Sequence, residues 1–152
     1  MSVATSLELV GRLVLAGVLG ALIGAEREYR AKTAGTRTHF LVALGSALLM
    51  IVSQYGFMDT AVTGTRLADA SRVAAQIVSG IGFIGAGTII VQKHAVHGLT
   101  TAAGMWVAAG IGMASAGGLY VIAITATVLS LIGLELLGLV HFRRRKGSKA
   151  EE

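Results

Sequence analysis

The sequence predicts an all-α protein, a polytopic bundle of about five transmembrane helices. Three observations carry that expectation. Hydrophobic residues make up 54% of the 152 positions and charged residues 14%, with no proline anywhere. Apolar runs of roughly 20 residues, the length that crosses a bilayer as a helix, recur along the chain. Lys and Arg gather in alternate polar breaks, as they do in loops held on one side of a membrane. A soluble domain of this size could not bury that much apolar surface, and the mean hydropathy of +0.74 says the same.

The spans are expected at 7–25, 39–56, 72–92, 99–116 and 118–140. The breaks are Glu26–Thr38, Phe57–Ser71, Gln92–Gly98, a Gly117-Gly118 turn and the tail from His141. The fourth span is rich in Ala and Gly, so a re-entrant segment is its rival. Residues 1–140 form one transmembrane domain, followed by a basic tail at 141–152. The opening residues carry no basic stretch before the first apolar run, so that run is expected to be retained as a span.

Orientation follows from the basic residues. Arg27, Arg30, Lys32 and Arg37 lie in the first break, Lys93 in the third, and Arg143, Arg144, Arg145, Lys146 and Lys149 in the tail. Five spans put these on one side, whereas the opposite side has only Arg66 in the second break and Arg72 at the start of the third span. The N-terminus is therefore expected outside and the C-terminus inside. The net charge of +5 becomes a topology signal with attraction to anionic lipid, and a nucleic-acid partner is not expected. With no cysteine, disulfides and thiolate metal sites are excluded.

The stretch Gly80-Ile-Gly-Phe-Ile-Gly85 is a literal G-x-G-x-x-G. A dinucleotide site would need a strand before it and an acidic residue about 20 positions later. The run before it is apolar and no Asp or Glu occurs between Asp69 and Glu135. No cofactor is expected. The glycines read instead as helix-packing positions, where absent side chains let backbones approach in lipid. Helical periodicity puts Val73, Ile77, Ile81, Ile84, Thr88 and Val91 on one stripe, expected to face lipid, with the third span central in the bundle. Packing positions are Gly20, Gly24, Gly80, Gly82, Gly85, Gly87, Gly104 and Gly112. Gly82→Leu or Gly85→Leu is expected to disrupt the assembly.

Ionisable residues sit near the span ends. Glu26, Arg27 and Glu28 close the first span, and Arg12 can reach Glu8 one turn earlier. Asp69 precedes the third span, and with Asp59 it is a candidate for Mg2+, which takes one or two carboxylates and keeps waters. Glu135 is the deepest carboxylate and is expected to snorkel toward Arg143 or to pair with Arg27, Arg30 or Arg37. His39, His94, His97 and His141 fall on the inner side. Trp106 lies inside the fourth span and is expected to pack on a neighbouring helix. Both helical hairpins run from a glycine-rich helix end to a Gly-x-x-Thr, as a duplication would leave them. No nucleophile–base pair or metal cluster is visible, so an enzyme is not expected.

GALIGAERE at 20–28, AGTRTH at 34–39, RVAAQIVSGIGFIGAG at 72–87 and GLTTAA at 98–103 resemble the membrane domain of the MgtC/SapB family. The order and spacing agree over nearly all of 7–140. The family commonly has Leu where this chain has Thr36, and Phe-Leu where it has Phe83-Ile84. The resemblance implies a multi-pass protein of the bacterial inner membrane, linked to growth under Mg2+ limitation, stress adaptation and virulence. It implies a membrane-protein partner, for one member type the F-type ATP synthase, and self-association into a homo-oligomer is a further expectation. It marks Glu26, Arg27, Glu28, Arg37, Thr38, His39, Asp69, Arg72, Gln76, Thr100 and Thr101 as the functional motif. A soluble C-terminal regulatory domain, common in relatives, is not expected here. The function expected is a non-enzymatic regulator of partner membrane proteins, with an ion transporter or channel component for Mg2+ or protons as the alternative.

Overall fold

The computed structural model describes residues 3–56, 70–93 and 95–148, with side chains over 5–56, 71–93 and 95–135. Asp59, Arg66, Asp69, His94, His141 and the tail cations Arg143, Arg144, Arg145, Lys146 and Lys149 lie outside the residues whose side chains are described. The described chain is an all-α bundle: α1 (Val3–Tyr29), α2 (Thr36–Tyr55), α3 (Ala70–Ala86), α4 (Leu99–Ala116) and α5 (Tyr120–Ser148). Between α3 and α4 lies a minimal hairpin of β1 (Ile90–Gln92) and β2 (Ala95–His97), paired antiparallel with Val91 opposite Val96.

Among the described residues, three helices are long and apolar enough to cross a membrane: Thr5–Tyr29, Thr36–Tyr55 and Leu99–Ala116. The described apolar parts of α3 and α5, Ser71–Ala86 and Tyr120–Glu135, are shorter. Residues 80–85 lie inside α3, with neither a strand leading in nor an open turn. The third apolar run is nevertheless not one helix to residue 92. After Ala86 the chain tightens through Thr88 N–H to Gly85 O and Ile89 N–H to Ala86 O, and then becomes strand. The β-branched pair Ile89-Ile90 favours extended backbone once the helix has ended. Thr88 and Val91 therefore leave the predicted helical stripe.

Helix ends follow local chemistry. Lys32 N–H bonds Arg27 O and Ala31 N–H bonds Glu28 O, a Schellman closure of α1 with Ala31 at φ 52°. Leu119 N–H to Ala114 O and Gly118 N–H to Ser115 O close α4 in the same way, with Gly118 at φ 76°. Here glycine takes the left-handed position at no steric cost. Gly98, at φ 90°, lets the hairpin return against the carbonyl of Thr88, where any Cβ would collide.

The centre of the bundle is α4, not α3. Met105, Ala108, Ala109, Ile111, Gly112 and Ser115 are all buried, against α1, α2, α3 and α5. An Ala/Gly-rich sequence occupies the centre because only small side chains permit approach from every side. It is one continuous 18-residue helix, long and apolar enough to cross a membrane. In α3 the expected faces hold only in part: Ile84 of the stripe is exposed and Gly85 is buried near Ala102 of α4, but the middle of the stripe turns inward. Ile77 (6% exposed) and Ile81 (7%) pack on Ala109 of α4, with Val42 and Met50 of α2 alongside, while Phe83 is 84% exposed. Periodicity identifies a bulky stripe but not which side of it meets protein. Trp106, at 53% exposed, also points outward rather than into a neighbouring helix.

Two further clusters fill the core. Leu9 and Ala16 of α1 meet Ala47 and Ile51 of α2 and Ala116 of α4. Leu19 and Ile23 of α1 meet Ile111 of α4 and Ala123 of α5. Outside these, Leu7, Val121, Leu129 and Val14 face outward, as expected of side chains whose solvent is lipid.

Candidate functional site

A buried charge network and His39 lie together at one end of the bundle, where the start of α2 meets α1 and α4 and Arg30 reaches Glu135 of α5. Three helices build it through close contacts at glycine. A Cβ at Gly20 would lie 2.6 Å from the carbonyl oxygen of His39, and one at Gly24 would lie 2.6 Å from Cα of Thr36. From α4, a Cβ at Gly104 would lie 3.1 Å from Nε2 of His39. These bare positions draw α1 and α4 onto the first turn of α2, leaving His39 fully buried between them.

Beside His39 lies a charge network. Glu26 and Arg27 are buried, with Glu26 Oε2 at 3.6 Å from Arg27 Nη1. Glu26 Oε1 lies 2.9 Å from Arg30 Nε, one turn further along α1. Arg30 in turn donates through Nη2 to Glu135 of α5, joining the first and last helices. His39 Nδ1 contacts the Gly35 carbonyl at 3.0 Å, whereas its Nε2 is buried without a hydrogen-bond partner. Both Glu26 oxygens and Arg30 Nε are held by ion pairing, while Arg27 Nε is buried without a hydrogen-bond partner. A buried polar atom with no partner, as at His39 Nε2, costs about 1–3 kcal/mol. The network therefore holds the end of the bundle together by charge attraction at a cost in local stability.

Glu28 acts differently. Its Oε2 accepts from the Thr36 amide at 2.9 Å, so α1 supplies the anion at the start of α2. Gly35 itself offers no side-chain cap, and a carboxylate there complements the positive end of the helix dipole. Arg37 and Thr38, next along α2, turn away from His39 into a separate feature. This is an open groove of about 710 Å3 between α2 and α3, also lined by Ser46, Leu49, Gln76 and Gly80.

The opposite end is clamped by Arg12. Its Nη1 donates to the Ala116 carbonyl at 2.7 Å and reaches Tyr55 Oη at 3.5 Å, its Nη2 pairs with Glu8 at 2.6 Å, and the guanidinium lies over Tyr120. One side chain thus touches α2, α4 and α5 from α1.

The structure brings together Glu26, Arg27 and His39 and places buried Thr101 on the same end of α4. Glu28 stands beside them as a cap. Arg37, Thr38 and Gln76 share the groove instead, and Arg72 and Thr100 are exposed. Asp69 and Asp59 lie outside the described residues. No group of three or more His, Asp or Glu side chains able to hold a metal occurs among the described residues. Of the packing glycines, Gly112 meets the Ala43 backbone, Gly85 meets Ala102 at ordinary contact, and Gly87 meets only the carbonyls of its own helix end. Gly80 and Gly82 face open space within this chain. The Arg12–Ala116 bond and the groove carry no sequence signal, because each depends on residues far apart in the chain.

No solved structure matches the chain. Among curated proteins, it is 48% identical over 136 residues to "Putative magnesium transporter YhiD" of Escherichia coli K12, covering 90% of this chain and 63% of that one. It is 45% identical over 125 residues to Protein MgtC of Salmonella typhimurium LT2, covering 82% of this chain and 50% of that one. An uncharacterized protein of Haemophilus influenzae is 42% identical over 132 residues, covering 86% of this chain and 56% of that one. The chain thus spans about half to three-fifths of the length of these relatives. The model of the MgtC family matches residues 13–143. With glycine-built helix contacts, a charged bundle end and membrane-length helices on the same residues, the chain is a membrane protein that belongs to the MgtC family.

Proposed function

We propose that this chain is a non-enzymatic regulator that acts on partner membrane proteins through its helix surfaces and the loops of its charged end. The setting is Mg2+ limitation, acid stress or virulence, and the location is the bacterial inner membrane. The chain crosses it several times, with the N-terminus outside and the C-terminus inside. The observation that carries this reading is the distribution of polar groups. Among the described residues, the ion pairs lie at the two ends of the bundle, at Glu8–Arg12 and at Glu26–Arg27–Arg30–Glu135. Between them, Thr127 and Ser130 spend their hydroxyls on carbonyls of their own helix. A transporter needs a charged or unwound site near mid-membrane, and the described helices run unbroken there. The F-type ATP synthase and a second copy of the chain are the partners to test first.

The second reading, an ion transporter or channel component, draws on the name of the Escherichia coli relative and on the buried carboxylate of Glu26. Purified protein in liposomes loaded with a Mg2+-sensitive dye separates the two. The regulator reading expects no flux above empty liposomes, and co-purification of a membrane protein under magnesium starvation. Robust flux lost in Glu26→Gln would overturn it.

A further inference from the structure

The groove between α2 and α3 is absorbed by neither the charge network nor the regulator reading, and it has the shape of a lipid site. Its walls are apolar, formed by Leu41, Val42 and Leu49 of α2 and by Ile77, Ile81 and Ile84 of α3. Gly45 and Gly80 open its floor, each with nothing within 4 Å of the position a Cβ would take. From Arg37 to Leu49 it runs twelve residues, about 18 Å at helical rise. That is close to the thickness of one leaflet of the hydrocarbon core, about 15 Å.

One end carries a cation. Arg37 is exposed, lines the groove mouth and has no ion-pair partner within 4.0 Å among the described residues. The neighbouring carboxylate, Glu28, is engaged by the Thr36 amide. A guanidinium at the end of an apolar channel is suited to a phosphate, which it can grip with two parallel hydrogen bonds. The groove lies open along its length and is walled by branched apolar side chains, against which flexible acyl chains can lie. The cation at its mouth matches an anionic headgroup.

We propose that the α2–α3 groove is a binding site for the acyl chains of an anionic phospholipid, its phosphate held by Arg37. The site rests on the membrane placement of the chain and is independent of whether the protein regulates or transports.

Native mass spectrometry of the full chain in detergent tests this, with phosphatidylglycerol and phosphatidylcholine of identical acyl chains as probes. The native chain should retain phosphatidylglycerol about fivefold better, the equivalent of about 1 kcal/mol for one basic residue at an anionic lipid. Arg37→Gln should abolish that preference, while Lys32→Gln, on the same loop end, should leave it intact. Gly45→Leu should reduce retention of both lipids by filling the floor. Equal retention of the two lipids by the native chain, or an unchanged preference in Arg37→Gln, would overturn the proposal. So would a stable dimer that excludes lipid and dissociates in Gly45→Leu, which would give the groove to a second copy. Should Gly45→Leu fail to fold, the exposed Arg37→Gln variant still decides the matter.

Discussion

Gly112 of α4 lies directly against the backbone carbonyl of Ala43 in α2, with no room between them for even a methyl group. Helices in lipid gain little from burying apolar surface against one another, so contact depends on how closely the backbones approach. Gly112→Ala should therefore push α2 from α4 and cost about 1–3 kcal/mol, outweighing a helix-propensity gain of about 1 kcal/mol. Gly110→Ala, where a Cβ meets nothing, should be neutral or slightly stabilising. Thermal unfolding in detergent compares the two, and equal midpoints would refute the close-contact account.

The glycines of α3 should divide. Gly85→Leu drives a side chain toward Ala102 of α4, already 3.5 Å from where a Cβ would sit, and should destabilise the fold by about 1–3 kcal/mol. Gly82→Leu enters open space within the chain and should leave the unfolding midpoint unchanged, contrary to the expectation drawn from sequence. Loss of folding in Gly82→Leu would mean that its face is covered.

Arg12 should act as a staple for the end of the bundle opposite the charge network. Arg12→Met keeps an apolar stem but loses the bonds to Ala116 and Glu8. A charge-assisted hydrogen bond of this kind contributes about 1.5–3 kcal/mol. Limited proteolysis should cut the α4–α5 turn near Gly117 faster in the variant, and an unaltered cleavage rate would count against the clamp.

The charge network should show strong coupling. Glu26→Gln leaves Arg27 and Arg30 without their shared anion, and breaking a buried pair costs about 3–5 kcal/mol. The half-exposed Glu135 end of the network moderates that loss. Combining Glu26→Gln with Arg30→Gln should recover part of it. A double-mutant cycle in which the two losses simply add would show that the residues are independent.

Orientation has a direct test. Lys32 is exposed in the α1–α2 loop, so Lys32→Cys in this cysteine-free chain provides a single reporter. An impermeant maleimide should label it only after the cells are opened. Labelling in intact cells would place that loop outside.

Composition and the spacing of apolar runs determined the helical class, the approximate helix positions and the grouping of charge at the helix ends. These are local properties, set by what a short stretch of chain can bury and by where its backbone bonds can close. The motif GALIGAERE also announced α1's glycine ridge and its charged terminus before any neighbour was known. Tertiary structure alone decided which face of α3 turns inward, that the small-residue helix α4 is the hub, and that His39 sits beneath Gly104 while Arg37, two positions away, opens onto a groove. The physical reason is that a periodic stripe has the same appearance toward lipid as toward another helix, both being apolar. Only the fit of backbone against backbone distinguishes them, and that fit joins residues as distant in sequence as Arg12 and Ala116.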